Sequence, residues 1–283
     1  MIVAAGMNIL WGLNYVAVKI AVDAVAPLTA AFLRQAIVLL VCATSLRIIP
    51  GKMRALTALG LLSGGAYYIA INISLAISEN VGALAIASQL AVPFSLLLAI
   101  MLFGERIHLP RVVGIVLSFC GVLLLVFDPS AAREIPGLML TALASMIWAI
   151  CSLIQRSLIG VPVLTIYAWI GFWGSIVLGG LALIFEPVAM RGIGHIPLNA
   201  WGAVGFSAIG STVLGQGAMS WLLQRHPVST VTPLTLAAPV ISVFVAGWYF
   251  GTPPTMLMLL GGAIAMAGVA IVTIRTARAG IAP

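Results

Sequence analysis

The sequence predicts an all-α integral membrane protein of ten transmembrane helices, arranged as two inverted five-helix repeats. Three observations predict this fold. The chain of 283 residues is 63% hydrophobic and 7% charged, whereas soluble domains carry about 25% charged residues. Its apolar runs are long enough to cross a bilayer, which takes about 20 residues of helix. The second half of the chain also repeats motifs of the first half.

Short joins that contain proline or glycine separate the apolar runs, because these residues interrupt helices. Consecutive helices connected by such short joins are expected to run antiparallel. The predicted spans are 2–21, 27–47, 55–78, 81–103, 110–127, 136–156, 162–185, 197–224, 228–250 and 255–275.

The internal repeat is clearest where a Phe-Gly pair precedes a helix with two glycines seven residues apart. The matching positions are Gly104, Gly114 and Gly121 with Gly251, Gly261 and Gly268, Pro93 with Pro239, and Trp11 and Lys19 with Trp148 and Arg156. An odd number of spans per copy inverts the second copy. We therefore expect one transmembrane domain of two repeats, 1–128 and 129–283. Inverted repeats are typical of secondary transporters that alternate access around a midplane site.

The paired glycines predict a close contact between helices. Residues seven apart lie on one helix face, and small residues let membrane helices approach each other closely. Spans five and ten are therefore interpreted as supports rather than as walls of a site.

The charged residues predict the orientation in the membrane. Nine Lys and Arg residues flank spans on the side of the N-terminus, whereas Arg133 and Arg191 lie on the other side, with Lys19 at the outer end of span one. An excess of positive charge marks the cytoplasmic side. Both termini are therefore predicted to be cytoplasmic, and the net charge of +7 is explained by short basic loops rather than by nucleic-acid binding.

The span count, the Trp11-Gly12-Leu13-Asn14 run, the mid-span prolines and the Phe103-Gly104-Glu105 turn together resemble the EamA-type drug/metabolite transporter family over essentially the whole chain. Within that family the chain is most similar to aromatic amino acid exporters of bacterial inner membranes. The resemblance implies a basket of helices around a central cavity, with spans one to four and six to nine lining it. Thr252 stands where Glu105 stands in the first repeat, so Glu105 is interpreted as a loop residue.

The acidic residues lie at span ends or in loops; they are Asp23, Glu79, Glu105, Asp128, Glu134 and Glu186. Membrane proton relays use embedded carboxylates. Small multidrug antiporters, a related group, carry such a glutamate in their first helix, where this chain offers Asn14. We therefore expect transport without carboxylate-based proton antiport.

Chemistry other than transport finds little support in the sequence. The histidines lie in loops, the three cysteines lie in apolar spans without metal-ligand spacing, and no phosphate-binding loop or nucleophile elbow is present. We expect no catalytic activity, no metal and no cofactor. A membrane enzyme that acts on lipids would need a cluster of His, Asp or Cys near the interface.

Four amide side chains inside spans are candidate substrate-binding residues: Asn14, Asn72, Gln89 and Gln216. An amide in hydrocarbon is costly unless it has a hydrogen-bond partner, so these side chains should face the bundle interior or water. They are expected to bind the amino and carboxylate groups of a substrate; the alternative is hydrogen bonding between helices.

Four aromatic residues are candidates for cavity walls: Trp11, Tyr68, Trp148 and Trp169. Aromatic walls suit a bulky apolar substrate. The alternative for each residue is ordinary helix packing. Pro93 and Pro239, which each remove a backbone hydrogen bond, are predicted hinges; the alternative is a static kink.

Arg34 is the one charged residue well inside a span, in span two. We expect it to pair with Asp23 or Glu79; the alternative is a substrate carboxylate. Lys19 and Arg156 are expected to extend to the lipid headgroups.

The leading hypothesis is an exporter of amino acids, aromatic or bulky and neutral, or of similar small metabolites, acting by alternating access and complete as a monomer among membrane lipids. The main alternative is broad efflux of drugs or lipophilic cations, which would favour an embedded acid. A nucleotide sugar or other phosphate-bearing substrate would need several basic residues in the cavity.

Overall fold

A computed structural model describes residues 2–103, 109–128, 134–226, 231 and 234–279, and every regular element within them is helical. The main helices are α1 (Ile2–Ala24), α2 (Pro27–Cys42), α3 (Met53–Ile77), α4 (Val81–Leu102), α5 (Leu109–Val126), α6 (Ile135–Arg156), α7 (Val163–Phe185), α8 (Leu198–Gly205, Phe206–Gly215 and Gln216–Arg225), α9 (Ala237–Phe250) and α10 (Met256–Ala279). Eight helices in the described part of the chain are long and apolar enough to cross a membrane, and α9 is a shorter apolar helix. The predicted all-helical membrane fold is confirmed.

The ninth span differs most from its prediction. Helix α9 (Ala237–Phe250) follows a turn at Thr235 and Leu236, and Val231 and Leu234 before that turn are also helical; the predicted start of the span at 228 lies outside the described residues. Pro239 cannot donate a backbone hydrogen bond to Thr235, and the carbonyl of Thr235 instead accepts from the nearer amide of Ala238 at 3.2 Å. Gly104 and Glu105 of the predicted turn lie outside the described residues.

Helices from the two halves alternate in the packing. Helix α1 packs on α9 and α8, and in the same way α6 packs on α4 and α3. The two remaining pairs join equivalent helices, α2 with α7 and α5 with α10. This arrangement is expected of two inverted repeats. Exchanging the repeats replaces α1 by α6, α9 by α4 and α8 by α3, so each contact of α1 has an equivalent contact of α6.

Helices α5 and α10 meet through their glycines. A Cβ atom added to Gly121 would lie 2.5 Å from the carbonyl oxygen of Gly261, and one added to Gly268 would lie 2.5 Å from that of Gly114. Both distances are too short for any side chain. The predicted contact between spans five and ten is thus confirmed as a direct backbone-to-backbone approach.

Helices α1 and α9 also cross at a glycine. A Cβ atom at Gly12 would lie 2.6 Å from the side chain of Ile241 and 3.0 Å from the carbonyl oxygen of Ala238. The hydroxyl of Ser242 donates to the carbonyl oxygen of Gly12 at 2.6 Å. The glycine of the Trp-Gly-Leu-Asn run therefore allows the first helix to pack against the second repeat.

Each repeat contains two matching departures from α-helical geometry. In α4, a 3-10 turn (Ser88–Leu90) directly precedes the segment that contains Pro93. In the second half, the turn at Thr235 and Leu236 directly precedes the segment that contains Pro239. In the third helix of each half, a π-helical segment interrupts the α-helix, at Gly60–Ala66 in α3 and at Phe206–Gly215 in α8. Such segments leave backbone groups without their usual partners, so they need neighbours that provide hydrogen bonds.

Carboxylates tie helix ends together on the side that the charge bias predicts to be outside. Glu186 accepts hydrogen bonds from the backbone amides of Leu28 and Thr29 at 3.0 and 2.7 Å and from the Thr29 hydroxyl at 2.8 Å. It thereby places a negative charge at the N-terminus of α2, which the helix dipole favours. Glu134 accepts from the backbone amides of Glu79 and Asn80 at the α3–α4 join.

We predict that Gly121→Ala destabilises the protein by about 1–3 kcal/mol, because the new methyl group meets backbone atoms that cannot rotate away. The readout is the thermal unfolding midpoint in detergent. Gly180→Ala in α7 is the matched control, since its Cβ would have nothing within 4 Å. Equal midpoints for the two variants would contradict the close α5–α10 contact.

We predict that Glu186→Ala lowers stability by about 1–2 kcal/mol, because the first turn of α2 loses its side-chain acceptor. Glu79→Ala, which removes an exposed carboxylate, should leave the unfolding midpoint close to that of the wild type. A loss of the same size in both variants would point to a general effect of acidic charge and not to capping.

Candidate functional site

Tyr15 lines three adjoining cavities, of which two are lined by residues of both halves and the third by residues of the first half. We name them by their most distinctive residue. The Trp148 cavity has a volume of about 220 Å³, the Pro239 cavity about 200 Å³, and the Arg34 cavity about 40 Å³. The residues that they share place the three cavities side by side around the middle of α1.

The Trp148 cavity has aromatic and hydroxyl-bearing walls. Tyr67 packs against Trp148 with ring centroids 5.2 Å apart and against Tyr68 edge to face at 5.1 Å. The polar part of the wall comes from α4 and α6, namely Ser88, Gln89, Thr141 and Ser145. Such a cavity suits a flat, apolar group that carries a few hydrogen-bonding atoms.

Hydroxyls close to this cavity serve the irregular backbone. The Ser145 hydroxyl donates to the carbonyl oxygen of Thr141 on its own helix at 2.8 Å and lies 3.2 Å from that of Ser88, in the 3-10 turn of α4. The Ser88 hydroxyl donates to the carbonyl oxygen of Ala85 on its own helix at 2.7 Å. The 3-10 turn of α4 is therefore supported by its own helix and by α6 of the second half.

The Pro239 cavity lies between α1, α4 and α9. It is lined by Trp11, Tyr15, Ala85, Ser88, Gln89, Thr235, Ala238, Pro239 and Ser242. Trp11 also has a packing role, because its indole nitrogen donates to the carbonyl oxygen of Ser211 in the π-helical segment of α8 at 3.2 Å. Gly215 leaves room for the indole, since a Cβ atom there would collide with it.

The small Arg34 cavity is the most polar in character. Asn14, Arg34 and Tyr68 line it, together with Tyr15 and Tyr67. Arg34 is 7% exposed, donates from Nη2 to the Thr212 hydroxyl at 2.9 Å, and places its guanidinium 4.7 Å from the centre of the Tyr68 ring.

The expected ion pair of Arg34 was wrong. Asp23 instead pairs with Lys19 at 2.7 Å, one helical turn away, and the Glu79 side chain is exposed. Among the described residues, no carboxylate lies within ion-pair distance of Arg34. Lys19 is likewise not extended toward headgroups, since it is 8% exposed and held by Asp23.

The structure brings six of the ten predicted site and hinge residues onto these cavities. Those six are Trp11, Asn14, Tyr68, Gln89, Trp148 and Pro239. The other four, Asn72, Trp169, Gln216 and Pro93, do not line any of the three. Whether any of these residues binds substrate stays a prediction.

Two of the outlying residues have structural partners. Asn72 is 2% exposed, and its amide nitrogen donates to the carbonyl oxygen of Tyr68 on its own helix at 2.9 Å. Trp169 donates from its indole to the carbonyl oxygen of Arg47 at 2.9 Å and packs edge to face on Phe172. It thereby secures the chain just after α2, away from the cavities.

Sequence reasoning missed Tyr15 and Tyr67 as site residues, although both lie in spans. The useful signal was spacing. Tyr15 follows Trp11 by four residues, which places both on one face of α1. Tyr67 is adjacent to the chosen Tyr68, and in the structure it bridges the Trp148 cavity and the Arg34 cavity.

None of the residues that line the three cavities is an Asp, a Glu or a His. The buried acids lie at helix ends instead, with Glu134 at 5% and Asp128 at 2% exposure. Within the described ranges, no group of three or more His, Cys, Asp or Glu side chains is placed to hold a metal ion.

Long apolar helices around a central cavity of this kind define a multi-pass membrane protein of the transporter class. The chain belongs to the EamA-like transporter family, whose model matches residues 1–127 and 135–274. The predicted family membership is thereby confirmed.

Several relatives match the chain over most of its length. An "Uncharacterized transporter" of Archaeoglobus fulgidus is 30% identical, covering 93% of this chain and 94% of that protein. A "Probable amino-acid metabolite efflux pump" of Escherichia coli is 25% identical, covering 93% and 91%. A "Probable terminal-alkyne amino-acid exporter" of Streptantibioticus cattleyicolor is 22% identical, covering 69% and 65%. One solved crystal structure, 19% identical, superposes with a TM-score of 0.66 over 98% of this chain and 97% of that chain, and so has the same fold.

We predict that a cysteine placed at Gln89 reacts with a small, water-soluble thiol reagent, because Gln89 lines both larger cavities. The experiment uses a variant whose own cysteines, Cys42, Cys120 and Cys151, are replaced by alanine. Ser118→Cys is the control, since Ser118 is 1% exposed between α5 and α10 and should stay unlabelled. Labelling of Ser118→Cys but not of Gln89→Cys would contradict the position of the cavities.

Proposed function

We propose that this protein exports amino acids, aromatic or bulky and neutral, or similar small metabolites, across the bacterial inner membrane by alternating access. The observation that carries this proposal is the composition of the central cavities. Aromatic rings, amides and hydroxyls line them, without a carboxylate among the lining residues. Rings provide area for a bulky side chain, and the polar groups provide the few contacts that orient it.

The relatives support the direction and the substrate class. The relative from Escherichia coli, which covers 93% of this chain, is named for the efflux of amino-acid metabolites. The relative from Streptantibioticus cattleyicolor, which covers 69% of this chain, is named for the export of an amino acid. Their names describe those proteins, and the shared family makes the same class of substrate the best proposal here.

Alternating access is supported by matching breaks in the two halves. The prolines Pro93 and Pro239 each follow a local departure from α-helix, and Pro239 lines a cavity. A helix that lacks ladder hydrogen bonds at one level bends there at low cost. We propose that these are the hinges of the repeats 1–128 and 129–283, while the glycine contact between α5 and α10 stays fixed. One chain then holds a complete pathway as a monomer, with both termini in the cytoplasm.

The absence of acids from the cavity walls supports transport without carboxylate-based proton antiport. A proton relay would need an embedded group that gains and loses a proton during the cycle. Glu186 and Glu134 accept from backbone amides at helix ends, and Asp128 accepts from the Thr255 hydroxyl, so these acids have structural partners outside the cavities.

The alternative is broad efflux of drugs or lipophilic cations, and the aromatic walls favour it, because rings attract cations. The buried positive charge of Arg34 on the same region of cavities opposes it, since a cationic substrate would be repelled. Amino acids therefore remain the better proposal.

We predict that purified protein in liposomes moves labelled phenylalanine, tryptophan or methionine, and that a proton gradient leaves the rate unchanged. Flux of an organic cation that follows the proton gradient would overturn both the substrate class and the coupling.

We predict that Asn14→Ala and Trp148→Ala each lower this flux several-fold while the amount of folded protein is unchanged. The matched controls are Asn199→Ala and Trp248→Ala, both exposed positions, which should transport like the wild type. Unchanged flux in Asn14→Ala and Trp148→Ala would place the substrate elsewhere.

A further inference from the structure

We propose that the Arg34 cavity binds the charged end of an α-amino acid, with Arg34 holding the carboxylate and Asn14 holding the ammonium group. This inference rests on the proposed function and names the chemical groups that the site selects. It excludes substrates that have lost either group.

Arg34 is a buried charge without a counter-ion among the described residues. Its guanidinium is almost fully buried, and the neighbours it contacts are neutral: the Thr212 hydroxyl and the Tyr68 ring. Its Nε atom is buried and has no hydrogen-bond partner among the described residues. A buried charge without a counter-ion is costly, and such charges are normally paired or used to bind a ligand.

Thr212 and Tyr68 hold the guanidinium of Arg34 in place. Thr212 lies in the π-helical segment of α8, and its hydroxyl also donates to the carbonyl oxygen of Ser207 at 3.0 Å. That hydroxyl therefore directs its lone pairs to the guanidinium. With Nη2 occupied and the ring of Tyr68 stacked on one side, the guanidinium is held in one orientation, as binding of a planar carboxylate requires.

Asn14 lies on α1, beside the helix α2 that carries Arg34. Its side chain lines the same cavity, and its Oδ1 atom is buried with no hydrogen-bond partner in the described part of the chain. A carbonyl oxygen is an acceptor only. The residues that line this one cavity thus include a cation with an unused donor and an amide with an unused acceptor, which together complement a carboxylate beside an ammonium group.

The size of the cavities gives the orientation of the substrate. The Arg34 cavity, at about 40 Å³, has room for a small polar group rather than for a whole substrate. It shares Tyr15, Tyr67 and Ile71 with the Trp148 cavity, at about 220 Å³. The side chain of the amino acid therefore lies in the Trp148 cavity, against the rings of Tyr67 and Trp148.

The test compares four compounds with the same ring: phenylalanine, phenylalaninamide, phenethylamine and 3-phenylpropionate. Each is measured in two ways, as flux into liposomes and as a shift of the unfolding midpoint in detergent. The wild type is expected to prefer phenylalanine over the amide and the amine by at least about tenfold, because a site built for a charged group rejects analogues that lack it.

The variants assign the two contacts separately. Arg34→Gln should remove the preference for phenylalanine over its amide, and Arg34→Lys should restore part of it. Asn14→Leu should remove the preference for phenylalanine over 3-phenylpropionate and leave the preference over the amide. Arg54→Gln, at an exposed position, is the control for loss of an arginine.

Thr212→Val is a milder variant that keeps the charge of Arg34. It should raise the KM for phenylalanine several-fold without lowering kcat, because the guanidinium is no longer oriented. Thr273→Val is its control, since Thr273 is 7% exposed on α10 and Thr212 is 6% exposed. The unfolding midpoint of Arg34→Gln should not fall, because the variant removes a buried charge that lacks a counter-ion.

The outcomes separate this inference from the proposed function. If phenethylamine is transported, and no compound with a carboxylate is either bound or transported, both the proposed function and the inference about Arg34 are overturned. Flux of phenylalanine and its amide at equal rates, or an unchanged preference in Arg34→Gln, overturns the role of Arg34 and leaves the exporter intact. A lower unfolding midpoint in Arg34→Gln with the preference unchanged shows that Arg34 is structural.

Discussion

A membrane offers no water to backbone groups, so every amide and carbonyl that leaves the helical ladder must find a partner within the protein. The irregular segments of this chain obey that constraint. The indole of Trp11 bonds a carbonyl of the π-helical segment of α8, and the hydroxyl of Ser145 lies 3.2 Å from a carbonyl of the 3-10 turn in α4. The residues that stabilise the irregular backbone are thus neighbours of the cavities, and structural polar groups lie beside the proposed binding groups.

The distribution of charge follows the same constraint. Carboxylates lie at helix ends, where backbone amides and the helix dipole stabilise them, as Glu186 does at the start of α2. Arg34 instead lies well inside α2, and no carboxylate of the described residues is within ion-pair distance of it. A buried charge without a counter-ion is costly to stability, so ligand binding is the role that best accounts for Arg34.

Much of the fold was predictable from the sequence, because the bilayer sets the length of each apolar run and glycine spacing is a local signal. The α5–α10 contact is the clearest case, since residues seven apart must share a helix face. What the sequence could not give depends on contacts between distant segments. The partner of Arg34 is Thr212, 178 residues away, and no local pattern links them. The π-helical segments were missed for the same reason, because packing and not propensity decides them.

The candidate site was predictable only in part. Polarity inside a span identified Asn14 and Gln89, which line the cavities, but it equally identified Asn72, whose amide bonds to its own helix. The type of a residue does not reveal which face of a helix it occupies when the helix is apolar all round. Trp169 shows the complementary error: it lies in a span, yet its indole bonds the carbonyl of Arg47 just beyond α2.

The contact between α5 and α10 has a mechanical consequence. Helices that meet through side chains can slide past each other as those side chains change rotamer. In the α5–α10 contact, the carbonyl oxygen of a glycine in one helix lies against a glycine Cα of the other helix, and this happens at two places two turns apart. A displacement of about one helical turn along the axis would bring larger residues, such as Ser118 and Leu125, into the positions of Gly114 and Gly121, where only hydrogen fits. In the proposed transport cycle, the α5–α10 pair is therefore the fixed contact between the two halves, and the other helices move relative to it.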